Sequence, residues 1–402
     1  MLTLNSSFSV RSSKRVLQKD WKTHGVPFYR TRELVSLYNN EPFSSEIFIS
    51  EELFSEIAKK YGFPSEGDFL VSGVGTLGIC YQVKAKDKFY FKDGNVLWYK
   101  QNGGIVSSFF YYCFHSDQIQ NQILGQASIS TVGTYTIQNA KVTKFLCPTV
   151  EKEQQKIAHC LSSLDEVMGL QAKKVQALKQ HKKGLMQQLF PAEGETTPRL
   201  RFPEFREAGA WEVKQLGEVC CFLKGKGLPK TAITPHGVAP CIHYGELFTD
   251  YGEVIRDTKS YTDSTNNCVK SEEEDVLMPT SDVTPNGLAK ASCIKEKGVV
   301  LGGDILIIRA NKQLAFGEFL SRYIRYKEQD VLRYVSGTTV FHLYSSSISK
   351  LKIALPELEE QQKIAYCLSS LDEVIGLESD KLDALKNLKK GLMQQLFPQE
   401  VA

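Results

Sequence analysis

Two long stretches of the chain carry apolar residues at alternating intervals of four and three, interrupted twice in each stretch by a polar residue. The first seam is Ile157, Leu161, Leu164, Met168, Gln171, Val175, Leu178, Lys182, Leu185 and Leu189. The second is Ile364, Leu368, Leu371, Ile375, Glu378, Leu382, Leu385, Lys389, Leu392 and Leu396. A heptad seam predicts α-helices that pack on another helix as in a coiled coil. About 37 helical residues would form a rod of roughly 55 Å, which suits a strut between two bodies.

The two stretches are copies of one sequence. Glu153–Pro191 recurs as Glu360–Pro398 at a constant offset of 207, with 30 of the 39 positions identical. Such self-similarity indicates an internal duplication, and its long period predicts two whole modules that each end in the same helix. Pro191 and Pro398 are expected to stop the two helices, because proline cannot continue a helix.

The polar seam residues Gln171, Lys182, Glu378 and Lys389 have two interpretations. In one, the helices splay locally and these side chains reach water. In the other, the helices pack antiparallel about a pseudo-two-fold axis. Lys182 then faces Glu378, Gln171 faces Lys389, and every apolar layer faces an apolar layer. A polar layer of this kind can fix the register of a helix pair.

The stretches before the helices have the pattern of short strands. In the first module, β-branched and aromatic residues predict strands at Val26–Tyr29, Asp68–Val71, Ile79–Val83, Lys88–Phe91, Val96–Tyr99 and Val142–Leu146. Ser107–Gln126 has a helical pattern, and its aromatic cluster is interpreted as core. We expect a first head at 1–149, long helices at 150–191 and 357–402, a proline-containing linker at 192–210 and a second head at 211–356.

The two heads share only a few anchor segments. His24-Gly25-Val26 matches His236-Gly237-Val238, and Glu66–Leu70 matches Glu273–Leu277. Between such anchors the heads hardly agree, although the helices are nearly identical. This contrast favours a protein that does one job twice, on two different targets.

Composition narrows the class of protein. The net charge is only +3, so any surface for nucleic acid must be local. No apolar run reaches the roughly 20 residues of a membrane span, and the N-terminus lacks the apolar core of a secretory signal. The ten cysteines form no CxxC pair, which favours reduced thiols in a cytoplasmic protein and disfavours zinc.

Signals for catalysis are weak. Gly73–Gly78 satisfies G-x-G-x-x-G, but strand-like Ile79–Val83 follows where a cofactor loop needs a helix. No Asn-Pro-Pro-Tyr stretch typical of adenine methyltransferases is present, and the seven histidines form no ligand pattern. We therefore predict no catalytic residue, no cofactor and no metal.

Several motifs together resemble the specificity subunit of type I restriction–modification systems. They are the helix entry Pro356–Gln362, the Leu-Asp-Glu-Val/Ile runs, the Gly-Leu-Met-Gln-Gln-Leu-Phe-Pro helix ends and the linker Pro198–Pro203 before Trp211. The resemblance covers almost the whole chain. The first head lacks an equivalent of the Trp211 opening, so we expect a truncated or misassigned start.

The resemblance implies an α+β fold with two α/β target recognition domains joined by two long antiparallel coiled-coil helices with pseudo-two-fold symmetry. Each head would recognise one half of a split target in double-stranded DNA. The helices would dock two methyltransferase subunits, and restriction/motor subunits would complete the assembly. Two rival functions are a self-sufficient methyltransferase or nuclease, and a coiled-coil adaptor without DNA binding.

Candidate DNA contacts come from loops and strand ends, where lysine and arginine could contact guanine or phosphate. In the first head they are Tyr29, Arg30, Arg32, Lys84, Lys86 and Thr131. In the second head they are Lys224, Lys226, Lys230, Tyr244, Arg309, Lys312, Thr338 and Thr339. As a set they predict a basic face on each head.

Overall fold

The structure, a computed structural model of the chain, describes residues 1–39, 41–43, 45–92, 94–127 and 133–398. Its two longest elements are helices over Glu151–Leu189 and Leu358–Leu396, each of 39 residues. The chain divides into two compact units, Met1–Ala172 with Asp380–Ala402, and Lys173–Ser379. Each unit therefore contains one head and one half of each long helix.

The long helices end where the sequence predicts. The first ends at Leu189, and Phe190 and Pro191 follow it. The second ends at Leu396, two residues before Pro398. Proline has no backbone N–H to continue the helical hydrogen bonds, which explains why both copies stop at the same position of the repeat.

The described residues of the first unit form three small sheets and several short helices. Its strands are β1 (Leu2–Thr3), β2 (Phe8–Arg11), β3 (Val26–Tyr29), β4 (Phe48–Ile49), β5 (Phe69–Ser72), β6 (Cys80–Gln82), β7 (Tyr90–Phe91), β8 (Val96–Gln101) and β9 (Lys144–Phe145). Its helices are α1 (Leu4–Ser7), α2 (Thr31–Asn39), α3 (Glu51–Tyr61), α4 (Ser107–Phe114), α5 (Asp117–Ala127), α6 (Ile137–Val142) and the beginning of α7 (Glu151–Leu189), and it also contains the end of the second long helix. All six strands predicted in this module are present, with bounds within two residues of those predicted.

The strands β2, β8, β5 and β6 form an antiparallel sheet in that order, and β4, β3 and β7 form a second sheet in which β3 and β7 are parallel. Buried aromatic rings cover the first sheet. Phe110 lies 4.3 Å from Phe8 and 5.0 Å from Phe69, measured between ring centroids. Phe109 contacts Phe397 just beyond the second long helix, at 5.4 Å. The aromatic cluster of α4 is therefore core, as predicted.

The single helix predicted over Ser107–Gln126 is wrong, because α4 and α5 are separate helices. The break lies at His115 and Ser116. The Ser116 hydroxyl donates to the Cys113 carbonyl at 2.6 Å and satisfies one of the last acceptors of α4. The Ser116 carbonyl then accepts the amides of Ile119 and Gln120, which starts α5. Serine competes in this way with continuous helical hydrogen bonding.

The second unit has more strands but a related order. Its strands are β10 (Glu212–Gln215), β11 (Cys220–Lys224), β12 (Ile233–Thr234), β13 (Ala239–Ile242), β14 (Val254–Ile255), β15 (Ser260–Thr262), β16 (Val269–Lys270), β17 (Val276–Pro279), β18 (Ser281–Asp282), β19 (Ser292–Ile294), β20 (Val300–Leu301), β21 (Ile305–Ala310), β22 (Val335–Gly337), β23 (Phe341–Leu343) and β24 (Lys352–Leu355). Its helices are α8 (Leu216–Val219), α9 (Glu246–Thr249), α10 (Gly317–Tyr326), α11 (Glu328–Leu332), α12 (Ser345–Ile348) and the beginning of α13 (Leu358–Leu396), and it also contains the end of α7.

The two heads share a strand order. The five-stranded sheet β11-β21-β17-β19-β14 of the second unit repeats the order β2-β8-β5-β6 and adds β14 at one edge. The parallel pair β13 and β20 corresponds to β3 and β7. A further antiparallel sheet, β18-β23-β22, is present in the second unit. The anchor segments therefore mark a common scaffold, and the predicted α+β fold class is confirmed.

The linker is tied to the second long helix by a buried ion pair. Arg201 donates to Glu360 through Nε at 2.8 Å and through Nη2 at 2.7 Å. Glu360 is almost fully buried, and a buried carboxylate requires such a partner. The second head follows this linker and packs Trp211 against Phe319 of α10, with ring centroids 5.8 Å apart.

The predicted helix register is wrong by about one heptad, although the antiparallel direction is correct. In the second unit Lys182 pairs with Asp372 at 2.6 Å, and Glu378 pairs with Lys174 at 3.1 Å. In the first unit Lys389 pairs with Asp165 at 2.5 Å, whereas Gln171 was its predicted partner. Each lysine contacts an aspartate six residues before its expected partner. A lysine stem is long enough to reach a carboxylate beside the seam, so it needs no partner on the seam.

This register predicts which side chains are energetically coupled. A double-mutant cycle on Lys182→Ala and Asp372→Ala should give a coupling free energy of about 0.5–3 kcal/mol, because the two charges are in direct contact. The cycle on Lys182→Ala and Glu378→Ala should be additive within about 0.5 kcal/mol. Urea unfolding of the four variants of each cycle provides the measurement, and the opposite ranking would restore the predicted register.

Candidate nucleic-acid interface and helix platform

Two glycine-containing loops meet at one end of the sheet β11-β21-β17-β19-β14 of the second head. Gly225 follows β11 and packs so closely that a Cβ there would lie 2.0 Å from the Gly302 carbonyl oxygen. The Lys226 amide donates to Leu301 at 3.1 Å, and the Gly303 amide donates to Gly227 at 3.0 Å. These contacts hold the ends of β11 and β20 together beside the start of β21.

The lysines of these loops point to polar partners at the surface. Lys224 Nζ lies 3.5 Å from Asp304 Oδ1, and Lys226 Nζ donates to Asn267 Oδ1 at 3.0 Å. Both lysine side chains are exposed. Exposed pairs of this kind contribute little stability, so their lysines can exchange partners for phosphate oxygens at small cost.

The hairpin β22–β23 lies at the same end of the sheet. The Thr280 amide donates to the Asp304 carbonyl at 2.9 Å, and the Leu343 amide of β23 donates to the Thr280 carbonyl at 3.0 Å. The exposed residues Thr338 and Thr339 form the turn of this hairpin. We call this end of the head, formed by 224–227, 302–304 and 335–343, the loop edge.

Two further candidates have different positions relative to the loop edge. Tyr244 follows β13, whose last residue, Ile242, accepts the Gly302 amide at 3.0 Å, so Tyr244 belongs near the loop edge. Lys230 is exposed in a short 3-10 turn after Pro229. Its side chain faces solvent, and the contacts that form the loop edge do not involve it.

Arg309 and Lys312 lie at the opposite end of the sheet. Arg309 is near the end of β21 and donates to the buried Asp275 carboxylate through Nε at 2.8 Å and Nη2 at 2.7 Å. This two-pronged pair occupies the donors that base recognition would need. Lys312 is exposed beside it. The structure therefore separates these two residues from Lys224, Lys226, Thr338 and Thr339.

In the first head, Arg30 and Arg32 are held by carboxylates. Arg30 pairs with Glu33 at 2.6 Å, and Arg32 pairs with Glu33 at 2.7 Å and also contacts Glu46. Burial would raise the pKa of Glu33, but hydrogen bonds from the two guanidinium groups lower it. The Arg30 amide also donates to the Glu33 carboxylate at 2.9 Å, and the second head repeats this turn, because the His243 amide donates to Glu246 at 2.7 Å. This turn is shared scaffold, and the arginines are part of it.

Lys84, Lys86 and Tyr29 are brought together in the first head. Lys84 and Lys86 lie exposed on a turn closed by Asp87, whose carboxylate accepts the Lys84 amide at 2.8 Å. Tyr29 packs on Phe89 just after that turn, with centroids 4.7 Å apart. Burial, and secondarily the Asp87 charge, raises the pKa of Tyr29. The remaining candidate, Thr131, lies outside the described residues.

The lysine–aspartate pair between the long helices occurs once in each unit. Lys182–Asp372 in the second unit and Lys389–Asp165 in the first occupy identical positions of the 207-residue repeat. The two heads supply different donors to the aspartate of this pair. In the first unit the Tyr112 hydroxyl donates to Asp165 at 2.8 Å. In the second unit Arg322 pairs with Asp372 at 2.7 Å.

The second unit adds a head carboxylate to the pair. Glu253, just before β14, lies 2.9 Å from Lys182 Nζ. Burial would raise the pKa of Glu253, but the charge and hydrogen bond of Lys182 and the nearby Arg325 guanidinium lower it to about 2. The heptad pattern of the helices does not identify Asp165, Asp372 or Glu253 as partners of the lysines. The aspartates are detectable as charged residues beside the seam, whereas nothing in the sequence connects Glu253 to the helix.

Each unit also has a groove along the last turns of one long helix, where the two copies have the same sequence. In the first unit Lys390, Met393 and Gln394 line a cavity of about 410 Å³, together with Tyr38, Tyr111 and His115 of the head. In the second unit the equivalent residues Lys183, Met186 and Gln187 line a cavity of about 950 Å³, beside Phe248, Arg325 and Tyr326. The helix side of the two grooves is the same sequence, and the head side differs.

Two other kinds of site are absent from the described residues. The part of the chain that the structure describes contains no group of three or more His, Cys, Asp or Glu side chains arranged to hold a metal ion. Within that part, none of the helices combines the length and apolar character needed to cross a membrane.

The family of the chain follows from a comparison with known proteins. The model of the type I restriction modification DNA specificity domain matches residues 3–180 and again residues 209–387. The two matches end at equivalent positions of the duplicated helix and together cover most of the chain. The chain belongs to the type I restriction–modification DNA specificity domain family. This confirms the resemblance inferred from the linker and helix motifs.

Similar proteins include two specificity subunits of type I restriction enzymes. A Methanocaldococcus jannaschii protein named as the specificity subunit of the type I restriction enzyme MjaX is 25% identical over 348 residues, covering 82% of this chain and 77% of that protein. The MjaVIII specificity subunit of the same organism is 28% identical over 204 residues, covering 50% and 44%.

Solved structures show the same fold at low sequence identity. The S subunit of a type I restriction–modification system from M. genitalium matches with a TM-score of 0.59 at 16% identity, covering 100% of this chain and 96% of that one. A chain from a structure on complex assembly and conformational transition of the type I system matches with a TM-score of 0.60 at 16% identity, covering 98% and 96%.

The environment of Glu253 predicts an acid-dependent loss of stability. A carboxylate whose pKa falls from 4.5 to about 2 on folding stabilises the protein above pH 4.5, and this contribution disappears as the pH falls towards 2. It is on the order of 3 kcal/mol. Glu253→Gln should therefore destabilise the second unit at pH 7 and flatten the pH dependence of its stability between pH 4.5 and 2.

Denaturant unfolding at a series of pH values measures this effect. Glu359→Gln is the control, because Glu359 is an exposed carboxylate on α13. Equal slopes for Glu253→Gln and the wild type would contradict the assignment.

Proposed function

We propose that the chain is the non-catalytic DNA-recognition subunit of a type I restriction–modification complex. Each head recognises one half of a split target in double-stranded DNA, and the long helices dock two methyltransferase subunits. Restriction/motor subunits join this core in the full complex. The observation that carries the proposal is a duplicated helix pair bearing two heads with one strand order and dissimilar loops.

A split target with a fixed gap requires two recognition elements held at a fixed distance, as in dimeric DNA-binding proteins. The long helices suit this role because each is continuous over 39 residues. The ion pairs Lys182–Asp372 and Lys389–Asp165 support one register in each unit. The helices would therefore set the gap, and the heads would set the sequence of each half.

The loop edge of the second head has the chemistry for contacting a duplex. Lys224 and Lys226 are exposed cations suited to phosphate oxygens, which position a protein on DNA without specifying sequence. Thr338 and Thr339 project hydroxyls and methyl groups from a hairpin turn, and threonine can contact base edges of either kind. In the first head, Lys84, Lys86 and Tyr29 offer a comparable set. Arg30, Arg32 and Arg309 would first have to leave their carboxylate partners.

The repeated grooves support docking of two copies of one partner. Lys183, Met186 and Gln187 recur as Lys390, Met393 and Gln394, so each unit presents the same helix residues beside a cavity. A partner that recognises these residues in one unit would recognise them in the other. Methionine adapts to irregular apolar surfaces, and the flanking exposed lysine would select an acidic counterpart.

Selection of bound duplexes from a random library tests DNA recognition. The chain, purified with its methyltransferase subunit, should enrich a target with two short specific halves separated by a fixed unspecific gap. Lys224→Gln with Lys226→Gln should lower affinity for all duplexes and reduce the slope of log affinity against log salt by about one per lysine, without changing the selected sequence.

Lys312→Gln is the matched control for that pair, because Lys312 is an exposed lysine of the same head at the other end of the sheet. It should leave both the affinity and the salt slope unchanged. Enrichment of one continuous motif, or of no motif, would refute recognition by two heads.

Charge reversal in the grooves tests the docking platform. Lys183→Glu and Lys390→Glu should each weaken one of two methyltransferase binding sites by about tenfold, because each reverses a rim charge facing the partner. The double variant should weaken both sites. Analytical ultracentrifugation of titrated mixtures gives the subunit ratio and both affinities.

Lys156→Glu, an exposed lysine of α7 outside the groove, is the control for docking. It should retain two methyltransferase subunits per chain. If the two groove variants kept both subunits with unchanged affinity, the grooves would not be the docking sites.

A further inference from the structure

Two exposed valines lie at one end of the three-stranded sheet of the second head. The side chains of Val283 and Val340 are 72% and 44% exposed. Asp282 and Phe341 are the last paired residues of β18 and β23. Val283 follows Asp282 and Val340 precedes Phe341, so both valines lie just beyond the same end of this strand pair. Single exposed valines are ordinary on a protein surface, but two exposed valines beside one strand pair offer a small apolar patch.

The patch is held in a defined conformation. The Asp282 carboxylate accepts the Val283 amide at 2.7 Å and the Thr284 hydroxyl at 2.7 Å, which fixes the chain after β18. On the other strand, Gly337 has a φ of +118°, and a Cβ there would lie 2.1 Å from the Val340 carbonyl oxygen. This turn needs a glycine, and it sets where Val340 lies.

The surroundings of the patch suit a duplex. Thr338 and Thr339 flank Val340 in the turn, and the base of the sheet is attached through Thr280 to Asp304. Asp304 is also the partner of Lys224. Val340 and its hydroxyl neighbours therefore lie on the same loop edge as a lysine suited to phosphate, and Val283 lies at the end of the adjacent strand β18. The two valines are therefore exposed to solvent and have polar neighbours.

We propose that Val283 and Val340 pack on the C5-methyl group of a thymine in the major groove, so that the half-site of the second head contains an A·T pair at this position. The proposal rests on the DNA recognition proposed above and names a base for it. Among the base edges of an unmodified duplex, the thymine methyl is the one apolar group in the major groove. A patch of two valines gains from covering that methyl group and gains nothing from the polar edge of cytosine.

Replacing thymine by uracil tests this contact, because the two bases differ only in the C5-methyl group. The chain in complex with its methyltransferase subunit is titrated with its selected target. Uracil replaces thymine in one half at a time. Loss of one buried methyl group should weaken binding about threefold to tenfold, and only when uracil lies in the half read by the second head.

The valine variants identify the residues responsible. Val283→Ala with Val340→Ala should bind thymine DNA about threefold to tenfold more weakly than the wild type, and should bind thymine and uracil DNA equally. Val238→Ala is the matched control, since Val238 is 79% exposed in the same head but lies before β13, away from the loop edge. It should keep the full preference for thymine. Circular dichroism and thermal unfolding check that the variants remain folded.

The outcomes are distinguishable. If the complex bound no duplex selectively, the proposed function itself would fail. If it bound its target and uracil in either half had no effect, or if the valine double variant kept the thymine preference, the thymine contact would be refuted. Loss of the methyltransferase subunit from the double variant would identify the patch as a protein-docking surface, which also overturns the proposal.

Discussion

The structure depends on one lysine–aspartate contact between the long helices, present once in each unit. Lys182–Asp372 and Lys389–Asp165 are only partly exposed, and each aspartate also accepts from the adjacent head. Charges removed from water are costly unless their partners are in place. The contact therefore favours one helix register, and it links the register to the position of the head within each unit.

The two heads satisfy this requirement with different chemistry. In the second unit Arg322 is fully buried and bridges Glu318 of its own helix to Asp372 of α13. Lys295 pairs with Glu318 and Glu274 and continues the network across the head. In the first unit a neutral Tyr112 hydroxyl reaches Asp165, and aromatic packing against the helix end replaces the charge network. A shared helix position thus supports two dissimilar heads, because each supplies its own donor to the same carboxylate.

Recognition and structural support are separated within the second head. Arg309 lies at the sheet end opposite the loop edge and is committed to the buried Asp275. The loop edge instead carries exposed lysines, threonines and Val340, attached to the sheet through Gly225, Gly302 and Thr280. Side chains on this edge can change without removing a buried partner. This explains physically how two heads with one strand order can have dissimilar loop sequences.

The sequence alone determined the duplication, both long helices and their ends, the strands of the first head and the family. Periodicity and proline positions are local signals, so they can be read directly from the sequence. It did not determine the helix register, because a heptad seam shifted by one repeat still places most apolar residues together. It also did not show that Arg309 is held by the buried Asp275. Those facts depend on residues distant in sequence, such as Glu253 beside Lys182, which only the tertiary structure brings into contact.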